Sequence, residues 1–294
     1  MKSIKNIAFA ATLISLTMVF SCTSEKDEIV TIHTPYGDMK VLLYDQTPKH
    51  KENFLKLAKE GLFDSTEFHR VIQNFMIQGG DVNAKGISKE QVNYTIEAEF
   101  VDTLIHEKGA LAAARLGDMQ NPAKASSGSQ FYIVHGQVFS ENDLRDMAEG
   151  QYMVNLQQRF GALLSEPEYS TLREEVIALQ DAGDVEGIME KIKESETLLI
   201  EKFGPLEKLE VNEQRVRAYS TSGGSPHLDG EYTVFGKVVE GLAVIDSIAA
   251  VPTGAADRPI EPVYMTVSVK KVSKNKIEQE YGYRYPDNND TANK

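Results

Sequence analysis

Residues 68–81 have the sequence FHRVIQNFMIQGGD, which predicts two short β-strands joined by a turn at residues 73–74. Side chains alternate along a strand, so Arg70 is expected on the same face as Phe68 and Ile72. Two interpretations of this arginine are open. It is either an ordinary charge at the edge of a sheet, or a guanidinium that points into a partly apolar groove.

The residues after the turn support the second interpretation. Phe75 and Met76 would supply an apolar wall, and Gln78 would place a neutral amide beside the arginine. Arginine is permanently charged, planar and geometrically rigid, so it can hold a hydrogen-bond donor in a fixed position next to an apolar pocket. This stretch therefore contains a candidate binding site.

The segments on either side of this stretch predict the rest of a small β domain. Residues 29–33 and 39–44 predict a hairpin of two strands. A helix is expected to begin after Thr47, which can cap the first turn, and to end near Gly61. Further strands are predicted over residues 109–114, 130–134, 232–238 and 263–269, and a second short helix over residues 242–249.

The central part of the chain, residues 139–222, is predicted to be entirely helical. Apolar residues recur there at helical spacing, which indicates three or four helices with breaks at Ser165, Gly183 and Gly204. The helices carry their own apolar stripes and are expected to pack largely on one another. The block is a tolerated surface insertion, an arm that grips substrates or acts as a chaperone, or a docking surface for another protein.

The composition of the 294-residue chain argues against several classes of function. The net charge is −13, whereas a nucleic-acid-binding protein needs a basic face to neutralise phosphates. The single cysteine, Cys22, excludes a disulfide within the chain and a cysteine-based metal site. The six histidines are scattered and include no His-x-x-x-His pair, so no metal site is expected.

The first 21 residues have the composition of an export signal. Lys2 and Lys5 precede an apolar run over residues 7–20, which is shorter than the roughly 20 apolar residues that span a membrane. Ser21 and Cys22 then resemble a bacterial lipobox, which implies cleavage before Cys22 and attachment of a lipid to it. Secretion without a lipid is the alternative. Residues 23–28 are polar and are expected to form a flexible tether.

Residues 68–81 resemble the signature of the cyclophilins, a family of peptidyl-prolyl cis/trans isomerases. Two further blocks agree in family order: GALAAAR over residues 109–115 with SGSQFYI over 127–133, and HLDGEYTVFGKV over 227–238. The resemblance extends over residues 29–135 and 225–272. It implies a mainly β fold, an eight-stranded antiparallel barrel capped by two helices, with the all-helical block as an inserted subdomain.

Together these features predict six segments of the chain. They are a lipoprotein signal peptide (1–21), a lipidated tether (22–28), the first part of the barrel (29–138), the helical insertion (139–222), the second part of the barrel (223–273) and a frayed polar tail (274–294).

The resemblance implies isomerisation of X-Pro bonds, and the chemistry of arginine suits this reaction. The barrier arises from the partial double bond of the peptide unit. Twisting that bond gives the proline nitrogen a lone pair, so a fixed N–H donor such as Arg70 stabilises the twisted state more than the planar one. Neither a metal nor a cofactor is needed, and no cofactor is expected.

Residue roles follow from the resemblance by position. Arg70, Phe75 and Gln78 are the expected catalytic residues, with Arg70 as the hydrogen-bond donor. The expected substrate-binding residues are Met76, Ala114, Arg115, Gln130, Tyr132, His227, Leu228 and Tyr232. Phe75, Met76, Tyr132 and Leu228 would line the proline pocket, and Gln78 and Gln130 would bind the substrate backbone.

Besides the turn at residues 73–74, where Gln-Asn replaces Pro-Gly, four positions differ from the best-known eukaryotic pattern. Tyr132 replaces a phenylalanine of the proline pocket, and its hydroxyl is expected to narrow that pocket. Arg115 stands where an asparagine is common, and Tyr232 where a histidine is usual. His227 replaces a tryptophan that binds the inhibitor cyclosporin in the family. We expect these changes to affect inhibitor sensitivity and peptide preference more than activity.

The sequence predicts an isomerase that accelerates the folding of exported, proline-containing polypeptides. It is expected in a bacterial cell envelope, lipid-anchored at the periplasmic face of a membrane or at the outer-membrane surface. One alternative is a non-catalytic envelope module that binds proline-containing segments and acts as a chaperone. Another is a structural lipoprotein of a larger complex.

Overall fold

The computed structural model describes residues 25–85, 93–206 and 208–285. Within these residues the chain forms two units, Glu28–Lys271 and a smaller unit of residues 25–27 and 272–285. The described strands are β1 (Lys26–Thr34), β2 (Gly37–Leu43), β3 (Thr66–Glu67), β4 (Arg70–Ile72), β5 (Met76–Gly79), β6 (Thr95–Ile96), β7 (Ala110–Ala113), β8 (Ser126–Ser127), β9 (Phe131–Val134), β10 (Val234–Glu240) and β11 (Tyr264–Ser273). The described helices are α1 (Pro48–Lys59), α2 (Glu141–Leu164), α3 (Ser170–Asp181), α4 (Val185–Glu194), α5 (Glu196–Phe203), α6 (Glu213–Thr221), α7 (Leu242–Ala249) and α8 (Lys274–Tyr281).

Nine of the described strands form one antiparallel sheet that curls into a half-barrel, in the order β3-β11-β1-β2-β10-β7-β9-β5-β4. The mainly β, cyclophilin-like class predicted from the sequence is confirmed, with nine strands rather than eight. The additional strand is short: β3 joins the edge by pairing Glu67 with Tyr264 and Thr66 with Met265 of β11. Strands β6 and β8 pair separately, between Thr95 and Ser127.

The hairpin predicted within residues 68–81 is formed by β4 and β5. Its turn places Asn74 in the left-handed backbone region, with φ of 64°, a conformation that asparagine tolerates better than most residues. The backbone N–H of Asn74 donates to Nδ1 of His135. Gly80, which follows β5, is required by close packing, because an added Cβ would lie 2.5 Å from the carbonyl oxygen of Ser129.

The expectation that Phe68 shares a face with Arg70 is wrong. The chain leaves the strand conformation at residues 68–69, between β3 and β4, so the alternation does not continue back to Phe68. Phe68 is fully buried in the core with Val71, whereas Arg70 lies on the opposite face of β4. The core is built around Phe131, whose ring meets Phe54, Phe63 and Phe68 edge-on.

Helix α1 begins with Pro48 as predicted, but the Thr47 side chain does not cap it. The Thr47 hydroxyl points backward and donates to the carbonyl oxygen of Tyr44. The carboxylate of Glu99 accepts instead from the backbone N–H groups of Lys49 and His50, each at 3.1 Å. A carboxylate at this end of a helix is favourable because the N–H groups there lack partners within the helix.

Residues 139–222 contain five described helices, α2 to α6, rather than three or four. The predicted breaks at Ser165, Gly183 and Gly204 are confirmed, and a further break at Ser195 separates α4 from α5. Helices α2, α4 and α5 share an apolar cluster of Leu156, Phe160, Leu163, Ile192 and Leu199. This cluster agrees with the expectation that the helices pack on one another.

Helix α6 packs differently from the other helices of the block. Its Tyr219 is fully buried in a second cluster with Leu144 from the start of α2 and Ile105 from the segment before β7. Backbone hydrogen bonds link Tyr219 to Phe139 and residue 223 to Lys108. The boundaries 139–222 remain a prediction, but this end of the block is bonded to the β domain.

In the smaller unit, the structure differs from two expectations about the ends of the chain. The predicted tether is not flexible throughout, because β1 begins at Lys26. The predicted frayed tail begins with α8, which is capped by Ser273 and contains the buried residue Ile277. The Tyr285 hydroxyl donates to Asp27, which is also buried. The signal peptide, Cys22 and residues 286–294 lie outside the described residues.

Candidate functional site

The site is a row of side chains across four neighbouring strands. Arg70 of β4 lies opposite Gln78 of β5, Gln78 lies opposite Tyr132 of β9, and Tyr132 lies opposite Ala112 of β7. Residues that face each other across an antiparallel sheet project from the same side. The row therefore lies on the side of the sheet that Arg70 faces, away from the core residue Val71.

Hydrogen bonds connect the polar members of this row. Nη1 of Arg70 lies 3.5 Å from Oε1 of Gln78, and Nε2 of Gln78 donates to Oε1 of Gln130 at 3.1 Å. Nε of Arg70 is 3.6 Å from Asp257, and both side chains are about half exposed. Arg70 is therefore oriented by neighbours but still open to solvent. Asp257 was not predicted, since 187 residues separate it from Arg70 in the chain.

The apolar wall adjoins this row. Met76 and Leu228 are buried, and Phe75 is half-buried. The ring of His227 is tilted by 31° against Phe75 at 5.5 Å between centroids, and His227 remains exposed. Burial of part of the ring lowers the pKa of His227, and the electrostatic effect of His106 lowers it further.

Tyr132 is turned inward, and the narrowing of a pocket by its hydroxyl remains a prediction. Its oxygen lies 3.0 Å from Nε2 of His106, a residue with no exposed surface. The two rings are stacked, and Tyr232 meets Tyr132 edge-on at 5.9 Å. The hydroxyl thus points away from solvent and towards His106, and burial raises the pKa of Tyr132 well above its usual range.

Arg115 is held by neighbours rather than free at the edge of the site. Its Nε donates to the carbonyl oxygen of Glu231 at 2.8 Å, and its other nitrogens meet the carboxylates of Glu231 and Asp118. The guanidinium also lies over the Tyr232 ring at 4.4 Å. Only 4% of the Arg115 side chain is exposed, so its predicted place beside the residue before proline remains a prediction.

Ala114 lies between Arg115 and the row. It is buried, and its backbone N–H donates to the carbonyl oxygen of Gln130. The structure therefore brings Arg70, Gln78, Gln130 and Tyr132 together and places Ala114 next to them. The structure also places Asp257, Glu231 and Asp118 beside the two arginines of the site, and none of these three residues was predicted.

A buried polar network lies behind Tyr132 and was also not predicted. The Asp229 carboxylate, with 1% of its side chain exposed, accepts from Nδ1 and the backbone N–H of His106. Nε of Arg215 and the Tyr219 hydroxyl donate to the same carboxylate. Burial alone would raise the pKa of Asp229, but the hydrogen bonds and charge of His106 outweigh it and lower the pKa.

The sequence offered a weak signal for this network. Asp229 immediately follows Leu228 in the third of the matched blocks, but nothing local indicates that its partner is 123 residues away. Among the described residues, no group of three or more His, Cys, Asp or Glu side chains is placed to hold a metal ion. The described helices include none that is long and apolar enough to cross a membrane.

The fold and the site define an antiparallel half-barrel that presents an arginine, two amides and an apolar wall on one face. The family model described as "Cyclophilin type peptidyl-prolyl cis-trans isomerase/CLD" matches residues 29–154 and 210–270, more than half of the chain. The chain belongs to this family and is an isomerase by class. The match leaves out residues 155–209, which lie inside the predicted helical insertion.

Two bacterial relatives illustrate the similarity. A Streptococcus pyogenes serotype M6 protein, provisionally named a bifunctional phosphatase/peptidyl-prolyl cis-trans isomerase, is 34% identical over 80% of this chain. A Staphylococcus epidermidis protein, provisionally named a peptidyl-prolyl cis-trans isomerase, is 31% identical over 80% of this chain. The aligned region spans 37% of the first relative and 87% of the second.

Among solved structures, a cyclophilin-type peptidyl-prolyl cis-trans isomerase of Cryptosporidium parvum is similar to this chain. It is 20% identical, with a TM-score of 0.47, and the alignment covers 83% of this chain and 97% of that protein.

Proposed function

We propose that the chain isomerises X-Pro bonds in polypeptides, with Arg70 as the hydrogen-bond donor to the proline nitrogen. The observation that carries the proposal is the position of Arg70. Its guanidinium is half exposed, is oriented by Gln78, and shares one face of the sheet with Tyr132. A cation held in this way can meet a substrate without first being released from a tight ion pair.

The proposed mechanism is differential stabilisation of the twisted bond. As the X-Pro bond rotates, the proline nitrogen becomes pyramidal and its lone pair can accept from the guanidinium of Arg70. The planar ground state offers no such acceptor, so the donor lowers the barrier instead of only tightening binding. The guanidinium donates a hydrogen bond without transferring its proton, so the step requires no general acid or base.

Neighbouring residues would hold the substrate in place. Phe75, Met76 and Leu228 supply apolar surface for a proline ring, and the amides of Gln78 and Gln130 can bind the peptide backbone. Gln78 already has two partners in the row, Arg70 and Gln130, and Gln130 has one, which fixes the orientation of both amides while leaving further hydrogen-bonding capacity. The proposed substrates are therefore proline-containing segments that are unfolded and accessible.

The test is a proline-limited refolding assay combined with turnover of a short X-Pro peptide. Loss of a well-placed donor typically costs roughly 100- to 1,000-fold in rate, so Arg70→Ala should lose most of its activity in both assays. Arg145→Ala is the matched control, since Arg145 is an exposed arginine paired with Glu141 on α2. Near-full turnover by Arg70→Ala would contradict the mechanism. A wild-type chain that binds peptides without turnover would instead indicate a binding module.

We further propose that the chain works on exported polypeptides at a bacterial cell envelope, anchored by a lipid on Cys22. The support is the sequence pattern of residues 1–22, all of which lie outside the described residues. Metabolic labelling with a fatty acid should label the wild-type chain and not Cys22→Ser. An unlabelled wild-type chain would contradict lipid anchoring and leave the isomerase proposal unaffected.

A further inference from the structure

A continuous chain of buried hydrogen bonds connects the site to helix α6. It begins at the Tyr132 hydroxyl, passes through both ring nitrogens of His106 and reaches the Asp229 carboxylate. From there Tyr219 of α6 donates to Asp229 at 2.7 Å, and Arg215 of the same helix donates at 3.1 Å. Three side chains, those of Tyr219, Asp229 and His106, thus connect the helix backbone to the Tyr132 ring of the proposed proline pocket.

The Asp229 carboxylate determines how the His106 ring is held. Asp229 has a lowered pKa and only accepts, so Nδ1 of His106 carries a proton and donates to it. The other ring nitrogen, Nε2, is bonded to the Tyr132 hydroxyl at 3.0 Å. The two bonds fix the orientation of the His106 ring and, through it, the direction of the Tyr132 C–O bond.

Burial makes this network costly to disturb. His106 and Tyr219 have no exposed surface, and 5% of the Arg215 side chain is exposed. A buried polar group that loses its partner retains the full cost of removal from water. The network therefore restricts Tyr132 to one orientation more strongly than packing alone would restrict a phenylalanine at this position.

We propose that α6 positions the Tyr132 ring through Tyr219, Asp229 and His106, and thereby sets the affinity of the site for proline-containing peptides. The inference rests on the proposed function in one respect, that Tyr132 lines the proline pocket. It assigns a role in binding to a helix within the predicted insertion and makes Tyr219, Asp229 and His106 positioning residues. Arg70 and the chemistry of bond rotation are not part of this role.

Two conservative substitutions test the connection. Tyr219→Phe removes one of the two α6 groups that hold Asp229 and leaves the bond from Arg215 in place, and Tyr132→Phe removes the hydroxyl at the other end of the network. Each lost hydrogen bond should weaken binding of an Ala-Pro-containing tetrapeptide by roughly three- to tenfold, measured as Kd by calorimetry. In turnover assays the same variants should raise KM by a similar factor and change kcat by less than about twofold.

The double variant separates positioning from simple stabilisation. If Tyr219 acts through the Tyr132 hydroxyl, then Tyr219→Phe should have no further effect on Kd once Tyr132→Phe is present. Tyr152→Phe is the matched control. Like Tyr219, Tyr152 donates its hydroxyl to a carboxylate, in this case that of Glu196. Tyr152 packs against the separate cluster of α2, α4 and α5, so its substitution should leave Kd unchanged.

Several outcomes would overturn the inference. Additive effects of the two substitutions on Kd, or an unchanged Kd in Tyr219→Phe, would show that Tyr219 of α6 does not act through Tyr132, as the inference requires. Absence of any peptide binding by the wild-type chain would do the same. Peptide binding that follows the expected coupling, in a chain with no turnover, would support the inference while rejecting the proposed isomerase function.

Discussion

Arg70 and Gln78 lie directly opposite each other on neighbouring strands, and Nη1 of the arginine lies 3.5 Å from Oε1 of the glutamine. The guanidinium therefore has a neutral amide as one partner and the half-exposed Asp257 carboxylate, 3.6 Å from Nε, as another. Solvent weakens the attraction between Asp257 and Arg70, so much of the electrostatic effect of the guanidinium stays available to a substrate.

Gln78→Leu should lower kcat/KM for X-Pro peptides by roughly tenfold, about the value of one hydrogen bond to a charged group. The substitution preserves side-chain size but removes both the acceptor for Arg70 and the donor to Gln130. Gln151→Leu is the matched control, because Gln151 is an exposed glutamine of α2 whose amide donates to Asn155 of the same helix. Unchanged turnover in Gln78→Leu would show that Arg70 needs no orientation by its neighbour.

The helical block should tolerate a short deletion and not a long one. Replacing residues 155–209 with a Gly/Ser loop removes most of the α2, α4 and α5 cluster but keeps α6, and should leave cooperative melting and peptide turnover intact. Replacing residues 139–222 also removes Tyr219 and Arg215 and exposes the Asp229 carboxylate. We expect the second variant to lose cooperative thermal unfolding, followed by circular dichroism.

The same pair of deletions tests whether the helices bind protein substrates. A block that grips unfolded chains raises the effective concentration of a large substrate at the site. The short deletion should then reduce the rate on a refolding protein more than the rate on a tetrapeptide. An unchanged ratio of the two rates would assign residues 155–209 to a tolerated surface insertion.

The free energy of unfolding should fall as pH is lowered from about 7 towards 5. This is the range in which histidines of the unfolded chain bind protons, because their unperturbed pKa is about 6.5. Burial lowers the pKa of His50 and of His69 in the folded chain. His50 Nε2 and His69 Nδ1 are buried and lack a hydrogen-bond partner within the described ranges, so a proton on either is unfavourable. As pH falls, the unfolded chain binds protons that the folded chain does not, which favours unfolding.

Urea unfolding at several pH values measures this dependence. His69→Gln, which cannot titrate, should have a shallower slope between pH 7 and 5 than the wild-type chain. A wild-type free energy of unfolding that rises as pH falls across this range would contradict the lowered pKa values of both histidines.

His227→Trp should strengthen inhibition by cyclosporin, which we expect to be weak for the wild-type chain. His227 is exposed and packs against Phe75, so an indole at this position can add apolar contact area and a ring N–H donor beside the site. The measurement is the inhibition constant in the peptide assay. Equal inhibition of the two proteins would show that residue 227 does not contact the inhibitor.

The sequence by itself determined the local elements that depend on short-range patterns. The hairpin around residues 73–74 followed from alternating apolar residues and a turn at Asn74, and α7 begins and ends at the predicted residues. The cyclophilin family followed from the resemblance of three motifs in family order. Arg70, Gln78, Gln130 and Tyr132 were selected by their positions in those motifs.

Tertiary structure alone decided the contacts between residues that are distant in the chain. Glu99 displaced Thr47 as the cap of α1, since a carboxylate brought from 50 residues away reaches two free N–H groups. The direction of the Tyr132 hydroxyl depended on His106, and its link to α6 depended on Asp229. Such bonds form only after the chain has buried both partners, when each polar group must find a partner because water is excluded.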